Sequence, residues 1–261
     1  MPELPEVETF KKYFDRTTLN KRILSIEEVD SFLLEDDQDV QAFTRSLKEK
    51  IFTGSGRHGK YLLLELQGPK YLILHFGMTG FLKSLENSHH IPDHTRLLLR
   101  LDNSYLAFVN ARRLGKIFLC DDISLFLQKK KLGPDALSID KTEFIGRVSK
   151  RKKPIKSALM DQSMIAGIGN LYADEILFQT SVHPLSLCTT LERESYNRMF
   201  KKTKYVLNTA IAKHAKIGKY PETWLLPHRT KEDCCPLCKG KMEVIKIAGR
   251  TTYFCSERQK I

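Results

Sequence analysis

Val7, Phe10 and Phe14 recur at helical spacing, with Lys11 and Lys12 on the other side, which predicts an amphipathic helix over residues 5–17. Between about residues 23 and 120 the pattern changes to short apolar runs, predicting strands over 23–29, 51–57, 61–66, 71–76, 80–85, 96–101, 105–110 and 116–119. Gly68-Pro69, Gly77 and Asp102-Asn103 mark turns between them, and one short helix over 40–48 interrupts. Many short strands with regular turns predict a β-sandwich or barrel-like domain. Past Lys129-Lys130-Lys131-Leu132-Gly133-Pro134 the pattern becomes helical, so a linker is placed near 128–136. Helices are expected from near Thr142, over 156–163, from Asn170 to about Gln179, and over 191–215, the last carrying Leu191, Met199, Val206 and Leu207. Residues 216–233 hold little periodicity, and 244–248 with 251–254 read as the two strands of a hairpin. The fold class is therefore α+β: an N-terminal β-sandwich domain with an N-terminal helix (1–131), a helical domain (132–230) and a C-terminal β-hairpin (231–261).

Charge narrows the partners. Lysine and arginine number 43 against 31 aspartates and glutamates, a net charge of +12, which favours a polyanion. No apolar run approaches the ~18 residues of a membrane span, and the acidic, polar N-terminus is unlike a secretory signal. Nucleic acid is the expected partner, in a cytoplasmic chain. In a reduced compartment the six cysteines argue against a disulfide framework, and four of them (Cys234, Cys235, Cys238, Cys255) fall near the C-terminus, which points to metal.

Candidate chemistry begins at Met-Pro-Glu-Leu-Pro-Glu-Val-Glu-Thr. With Met1 removed, Pro2 offers a secondary amine that can attack a sugar carbon and form an iminium directly, and an α-amino group has a reference pKa of about 7.7–8.0. Glu3, Glu6 and Glu8 follow closely, as acid/base work would require; the same residues also suit an ordinary helix start. Gly56-Arg57-His58-Gly59-Lys60 sets Lys60 at the mouth of a strand. Two further loops, His75-Phe76-Gly77-Met78-Thr79-Gly80 and Asn110-Ala111-Arg112-Arg113-Leu114-Gly115, carry an apolar tip, with cations in the second. Met78 is expected to be exposed on its turn. An enzyme that extrudes a base must fill the gap left behind, and Met78 and Leu114 are wedge types while an arginine can pair with the orphaned base. His89, His90 and His94 sit in a solvated loop. The cationic run from Lys150 to Lys156 contains Arg151 and Lys156 as candidate phosphate contacts. In Ala166-Gly167-Ile168-Gly169-Asn170, Asn170 is expected to cap the following helix, whose start would bind a phosphate. Trp224 is expected to pack against the helices.

These motifs together resemble the formamidopyrimidine-DNA glycosylase and endonuclease VIII family, in the family's order and over nearly the whole chain. The resemblance implies a bifunctional DNA glycosylase and abasic-site lyase of base-excision repair. Pro2 would be the nucleophile, Glu3 the proton donor to the ring oxygen, Lys60 a proton donor or phosphate clamp, and Arg250 a phosphate contact that assists the last elimination, with Glu6 in support. His75, Met78, Arg112 and Leu114 would be DNA-binding residues of the two loops that fill the emptied stack, and Asn170 would grip the backbone in a helix–two-turn–helix. The partner would be damaged double-stranded DNA, bound by a monomer. The preferred base would be of the 8-oxoguanine or formamidopyrimidine type. Leu114 replaces the usual phenylalanine of guanine-lesion enzymes and 216–233 is short for their capping loop, so an oxidised-pyrimidine enzyme is the alternative; a non-catalytic damage-binding protein is another. Cys235, Cys238 and Cys255 match three of the four thiolates of the family's zinc finger, but the fourth position is Arg258; His228 or Glu257 is the candidate replacement ligand.

Overall fold

Helix α1 (Leu4–Thr17) starts with Pro5 in its first turn and Glu3 at the N-cap, and it buries Leu4, Val7 and Phe14. Phe14 meets Phe52 edge-on at 5.0 Å and Phe10 lies 4.5 Å from Phe76, which fixes the helix against the strands that follow. In chain order these elements are β1 (Ile23–Val29), α2 (Val40–Leu47), β2 (Phe52–His58), β3 (Tyr61–Leu66), β4 (Lys70–His75), β5 (Phe81–Leu85), β6 (Thr95–Leu101), β7 (Ser104–Val109) and β8 (Lys116–Cys120). Each strand ends within one residue of its expected bounds. The computed structural model describes residues 1–35, 39–230 and 232–261, which divide into two compact units, Met1–Lys130 and Lys131–Ile261.

The first unit is a sandwich of two four-stranded antiparallel sheets, ordered β1-β6-β7-β5 and β2-β3-β4-β8. Alternation builds its core: Leu62, Leu64 and Leu66 of β3 and Leu72 and Leu74 of β4 share one cluster with Leu97, Leu99 and Leu101 of β6 and Leu106 and Phe108 of β7. Full burial of each such side chain contributes about 1.5–3 kcal/mol. The opposite face of β4 and β8 carries Ile73 and Phe118, covered by Phe126 of α3 (Ile123–Lys129). The hydrophobic pattern did not predict α3. It is a short helix with Phe126 as its one fully buried residue, started by the Asp122 carboxylate, which accepts from the Ser124 and Leu125 N–H groups.

The second unit holds α4 (Lys141–Val148), α5 (Ile155–Met160), α6 (Asn170–Thr180), α7 (Arg193–Ala212) and the antiparallel hairpin β9 (Met242–Ile247) and β10 (Arg250–Cys255). Helix α6 is its centre, with Tyr172 to Phe178 all buried. Gly169, in extended conformation, is the N-cap and Asn170 is the first helical residue, so the expected cap is shifted by one. That shift frees the Asn170 amide to bond elsewhere. The hairpin packs onto the helices through Phe178, Leu225, Cys235, Met242 and Cys255. Trp224 is buried beside Tyr220, their rings 5.1 Å apart. No helix is long and apolar enough to cross a membrane among the described residues.

Candidate functional site

The N-terminal segment is built into the first turn of α1. The Glu3 N–H donates to Glu6 Oε2 at 2.9 Å and the Glu3 carboxylate accepts from the Glu6 N–H, a reciprocal cap that holds Glu3 buried. Pro2 is partly exposed ahead of it and Met1 is exposed, so removing Met1 uncovers no core. Glu8 does not join them. It accepts from Arg57 Nε at 2.8 Å, and Arg57 Nη1 donates to the Gly59 carbonyl at 3.2 Å. One arginine thus joins the helix that carries Pro2 to the turn that carries Lys60. Gly59 has φ +56°, a conformation L side chains rarely adopt, and the turn delivers Lys60 with only 8% exposure.

The two wedge loops are clamped together by one buried amide. Asn110, fully buried, donates from Nδ2 to the Phe76 carbonyl at 3.0 Å and accepts at Oδ1 from Leu114 N (3.1 Å) and Gly115 N (3.3 Å). Gly77 (φ +59°) passes so close that a Cβ there would lie 2.4 Å from the Leu114 carbonyl. Leu114 is left 46% exposed on this platform, whereas Met78 is only half-exposed, contrary to expectation, in the tight turn between Gly77 and Gly80. The paired arginines diverge. Arg113 (φ +52°) bonds Asp30 at 2.6 Å and covers the Phe32 ring. Arg112 is exposed and makes no ion pair among the described residues. Asp30 is held below its ordinary value because bonds from Arg113 and Phe32 and the Arg113 and Arg96 charges outweigh its burial. His75 accepts from the Gly77 N–H at 3.3 Å, and burial with the nearby Lys60 charge pushes its pKa down to about 4, so the ring is neutral at pH 7.

In the second unit Asn170 donates from Nδ2 to the Thr251 carbonyl at 3.1 Å, which joins the start of α6 to the hairpin turn. Arg250 projects exposed from that turn, and Arg151 is exposed after α4. Lys156, expected to reach a phosphate, is instead fully buried and paired with Asp174 at 2.6 Å. Its ammonium is the counterion of a buried carboxylate and cannot meet a ligand at the surface without breaking that pair. Glu175 is also buried. Burial pushes its pKa up to about 7, against bonds from Gln179 and the Leu225 and Leu226 N–H groups and with the nearby Asp174 charge.

Cys235, Cys238 and Cys255 bring their sulfurs within 4.8 Å of one another, a set that could hold a metal ion. Arg258, at the fourth position, donates to Ser181 Oγ at 3.2 Å and lies over the Phe178 ring. His228 is no substitute, since its Nε2 meets the Glu222 carbonyl at 2.8 Å, and neither Glu257 nor Cys234 joins the cluster among the described residues.

Comparison with known proteins gives the family of the chain. The family model for the formamidopyrimidine-DNA glycosylase N-terminal domain matches residues 1–117, and that for the formamidopyrimidine-DNA glycosylase H2TH domain matches 132–220. The chain belongs to the formamidopyrimidine-DNA glycosylase family. It is 32% identical to the formamidopyrimidine-DNA glycosylase of Nostoc punctiforme (100% of this chain, 97% of that protein) and 31% identical to that of Listeria innocua (100% of each). Among solved structures it is similar to MutM in complex with DNA containing carbocyclic 8-oxo-G (27% identity, TM-score 0.90, 100% of both chains). It is also similar to the Lactococcus lactis formamidopyrimidine-DNA glycosylase bound non-covalently to an AP-site DNA (27%, TM-score 0.89, 99% and 100%). Within this family chain, sequence reasoning missed Arg57, Asn110, Asp174 and Arg229. Arg57 and Asn110 stood inside motifs already singled out, and their partners lie 49 and 34 positions away.

Proposed function

We infer that this chain is a base-excision-repair DNA glycosylase with abasic-site lyase activity, acting on damaged double-stranded DNA. The observation that carries the reading is the N-terminal constellation: Pro2 partly exposed just ahead of α1, the buried Glu3 carboxylate next to it, and Lys60 on a turn tied to the same helix through Arg57 and Glu8. The Pro2 amine, once Met1 is removed, attacks C1′ of the damaged nucleotide while Glu3 supplies a proton to the ring oxygen, and the C1′–base bond breaks. The C1′–O4′ bond opens onto that proton, leaving a hydroxyl at C4′ and an iminium between Pro2 and C1′, while the Pro2 N–H proton passes to the departing base. Loss of a C2′ proton then expels the 3′-phosphate, and a further elimination expels the 5′-phosphate before water releases the enzyme. Lys60 serves as proton donor or phosphate clamp, and Arg250 assists the last step from the hairpin. Glu6 fixes Glu3 through the cap. Leu114, Met78 and Arg112 fill the space of the flipped base, with the neutral His75 supporting their loop; Asn170 and Arg151 meet the backbone.

The base removed is of the 8-oxoguanine or formamidopyrimidine type. Leu114 in place of phenylalanine and the short 216–233 segment favour a second reading, an oxidised-pyrimidine enzyme. Incision of matched duplexes carrying an abasic site, 8-oxoguanine, formamidopyrimidine or an oxidised pyrimidine separates them. Nicking of the purine-lesion duplexes above all others is expected, and pyrimidine lesions cut fastest would select the second reading. A chain that binds these duplexes and nicks none would be a damage-binding protein.

Zinc fits three corners of the cysteine cluster, with Cys235, Cys238 and Cys255 as ligands and no fourth protein ligand among the described residues. Such an ion would fix the hairpin and take no part in bond breaking. Metal analysis of the purified chain is expected to find one zinc, lost in Cys238→Ala.

A further inference from the structure

We propose that Asp174 is a positioning residue whose carboxylate, through Lys156 and Arg229, holds the hairpin turn so that Arg250 is presented beside the start of α6. This deepens the proposed function and rests on the phosphate role assigned there to Arg250.

Little beyond the hairpin's own strand pairing holds that turn among the described residues. Ala248 and Gly249 both have positive φ (47° and 73°), and a Cβ built on Gly249 meets nothing within 4 Å. Beyond the hairpin's own pairing of Arg250 with Ile247 and the Thr252 hydroxyl's bond to the Arg250 carbonyl, the side chains that grip this stretch from the helical unit meet it from residue 251 onward among the described residues. Three donors converge on the Thr251 carbonyl: Asn170 Nδ2 at 3.1 Å, Arg229 Nη2 at 3.2 Å and Lys156 Nζ at 3.5 Å. Lys156 Nζ also donates to Thr252 Oγ1 at 2.6 Å. Both cations are oriented from behind by Asp174: Oδ1 meets Lys156 at 2.6 Å, and Oδ2 accepts from Arg229 Nη2 at 2.7 Å and Nε at 3.1 Å. Oδ2 also accepts the Tyr253 N–H at 3.2 Å, and the Arg229 guanidinium lies 4.8 Å over the Tyr253 ring. Asp174 itself is 1% exposed on the central helix. A pair buried for cohesion alone could be replaced by apolar packing at little cost. These bonds instead aim at the backbone of residues 251–253, immediately after the exposed Arg250.

Asp174→Asn removes a negative charge, so field arguments alone predict tighter DNA binding; loss of positioning predicts weaker. The full chain, Asp174→Asn, Arg250→Ala and their double variant would be compared for binding to an abasic-site duplex over a salt series. Arg229→Gln, which leaves the Asp174–Lys156 pair, is the second variant should Asp174→Asn not fold. Arg250→Ala is expected to lower the magnitude of the log K against log salt slope by about one. Asp174→Asn is expected to do the same, to weaken binding about tenfold, and to add nothing in the double variant. Hydrogen exchange of residues 251–253 reads the turn directly, and the amides should exchange at least about tenfold faster in Asp174→Asn and Arg229→Gln. Unchanged exchange overturns the proposal whatever the binding data show. Faster exchange with an unchanged slope in Asp174→Asn, while Arg250→Ala lowers it, also overturns positioning. If Arg250→Ala keeps the wild-type slope, the phosphate role of Arg250 fails, and hydrogen exchange still decides whether Asp174 holds the turn.

Discussion

The two units hold their exposed side chains still by opposite means. In the sandwich unit the Leu114 platform is fixed by a neutral amide, Asn110, set against an apolar core. In the helical unit the Arg250 turn is fixed by buried charges, Lys156, Asp174 and Arg229, on a helix that also buries Glu175. A neutral clamp imposes little desolvation cost and tolerates any pH. A charged clamp grips the backbone more strongly, and it fails badly when one member is lost.

The largest test of that contrast is Asp174→Ala. It leaves Lys156 buried without its counterion, so urea unfolding followed by the single tryptophan, Trp224, should show a loss of about 3–5 kcal/mol. Loss under about 1 kcal/mol would mean the cations find other partners.

The two units should also respond to acid with opposite sign. The His75 pKa is lowered in the folded chain to about 4 from 6.5, so the stability from its neutral ring is complete above the unfolded value and is lost as pH falls towards 4. The Glu175 pKa is raised to about 7 from 4.5, so its contribution is complete below 4.5 and is lost as pH rises through 7. Each is on the order of 3 kcal/mol across its window. His75→Gln should flatten the acid limb of a stability profile, and Glu175→Gln should flatten the decline between 4.5 and 7. A substitution that leaves its limb unchanged breaks the assignment for that unit.

A smaller effect is expected from Asn110→Ala. Leu114 N, Gly115 N and the Phe76 carbonyl would lose their partner, costing about 1–3 kcal/mol in a thermal melt and loosening both wedge loops to hydrogen exchange. Smallest of all is Arg112→Ala, within about 0.5 kcal/mol of wild type because the side chain is exposed. It should nonetheless weaken discrimination of the base opposite the lesion in incision assays.

The sandwich was legible because its strands alternate: Leu62, Leu64 and Leu66 announce one face before any partner is known. Helix α3 was not, because a single Phe126 anchor carries no period and the lysines that end it read as a linker. Asparagine suits a cap and so marks Asn170 as one, but the helix begins one residue earlier, with Gly169 at the extended cap position and the Asn170 amide bonded to the Thr251 carbonyl. The N-terminal motif, Lys60 and both loops were visible as local runs. The ties that position them were not, because Asp174 and Arg229 lie 55 positions apart and Arg57 and Glu8 lie 49 apart. Local sequence shows which groups are presented, whereas the groups that aim them are chosen by tertiary contact.

The central claim is iminium chemistry at Pro2, and borohydride trapping on a duplex with a single abasic site tests it most directly. With Met1 removed, the wild-type chain is expected to form a covalent adduct that mass mapping places on Pro2. A duplex bound tightly with no adduct formed, or an adduct mapped to another amine such as Lys60, would contradict it.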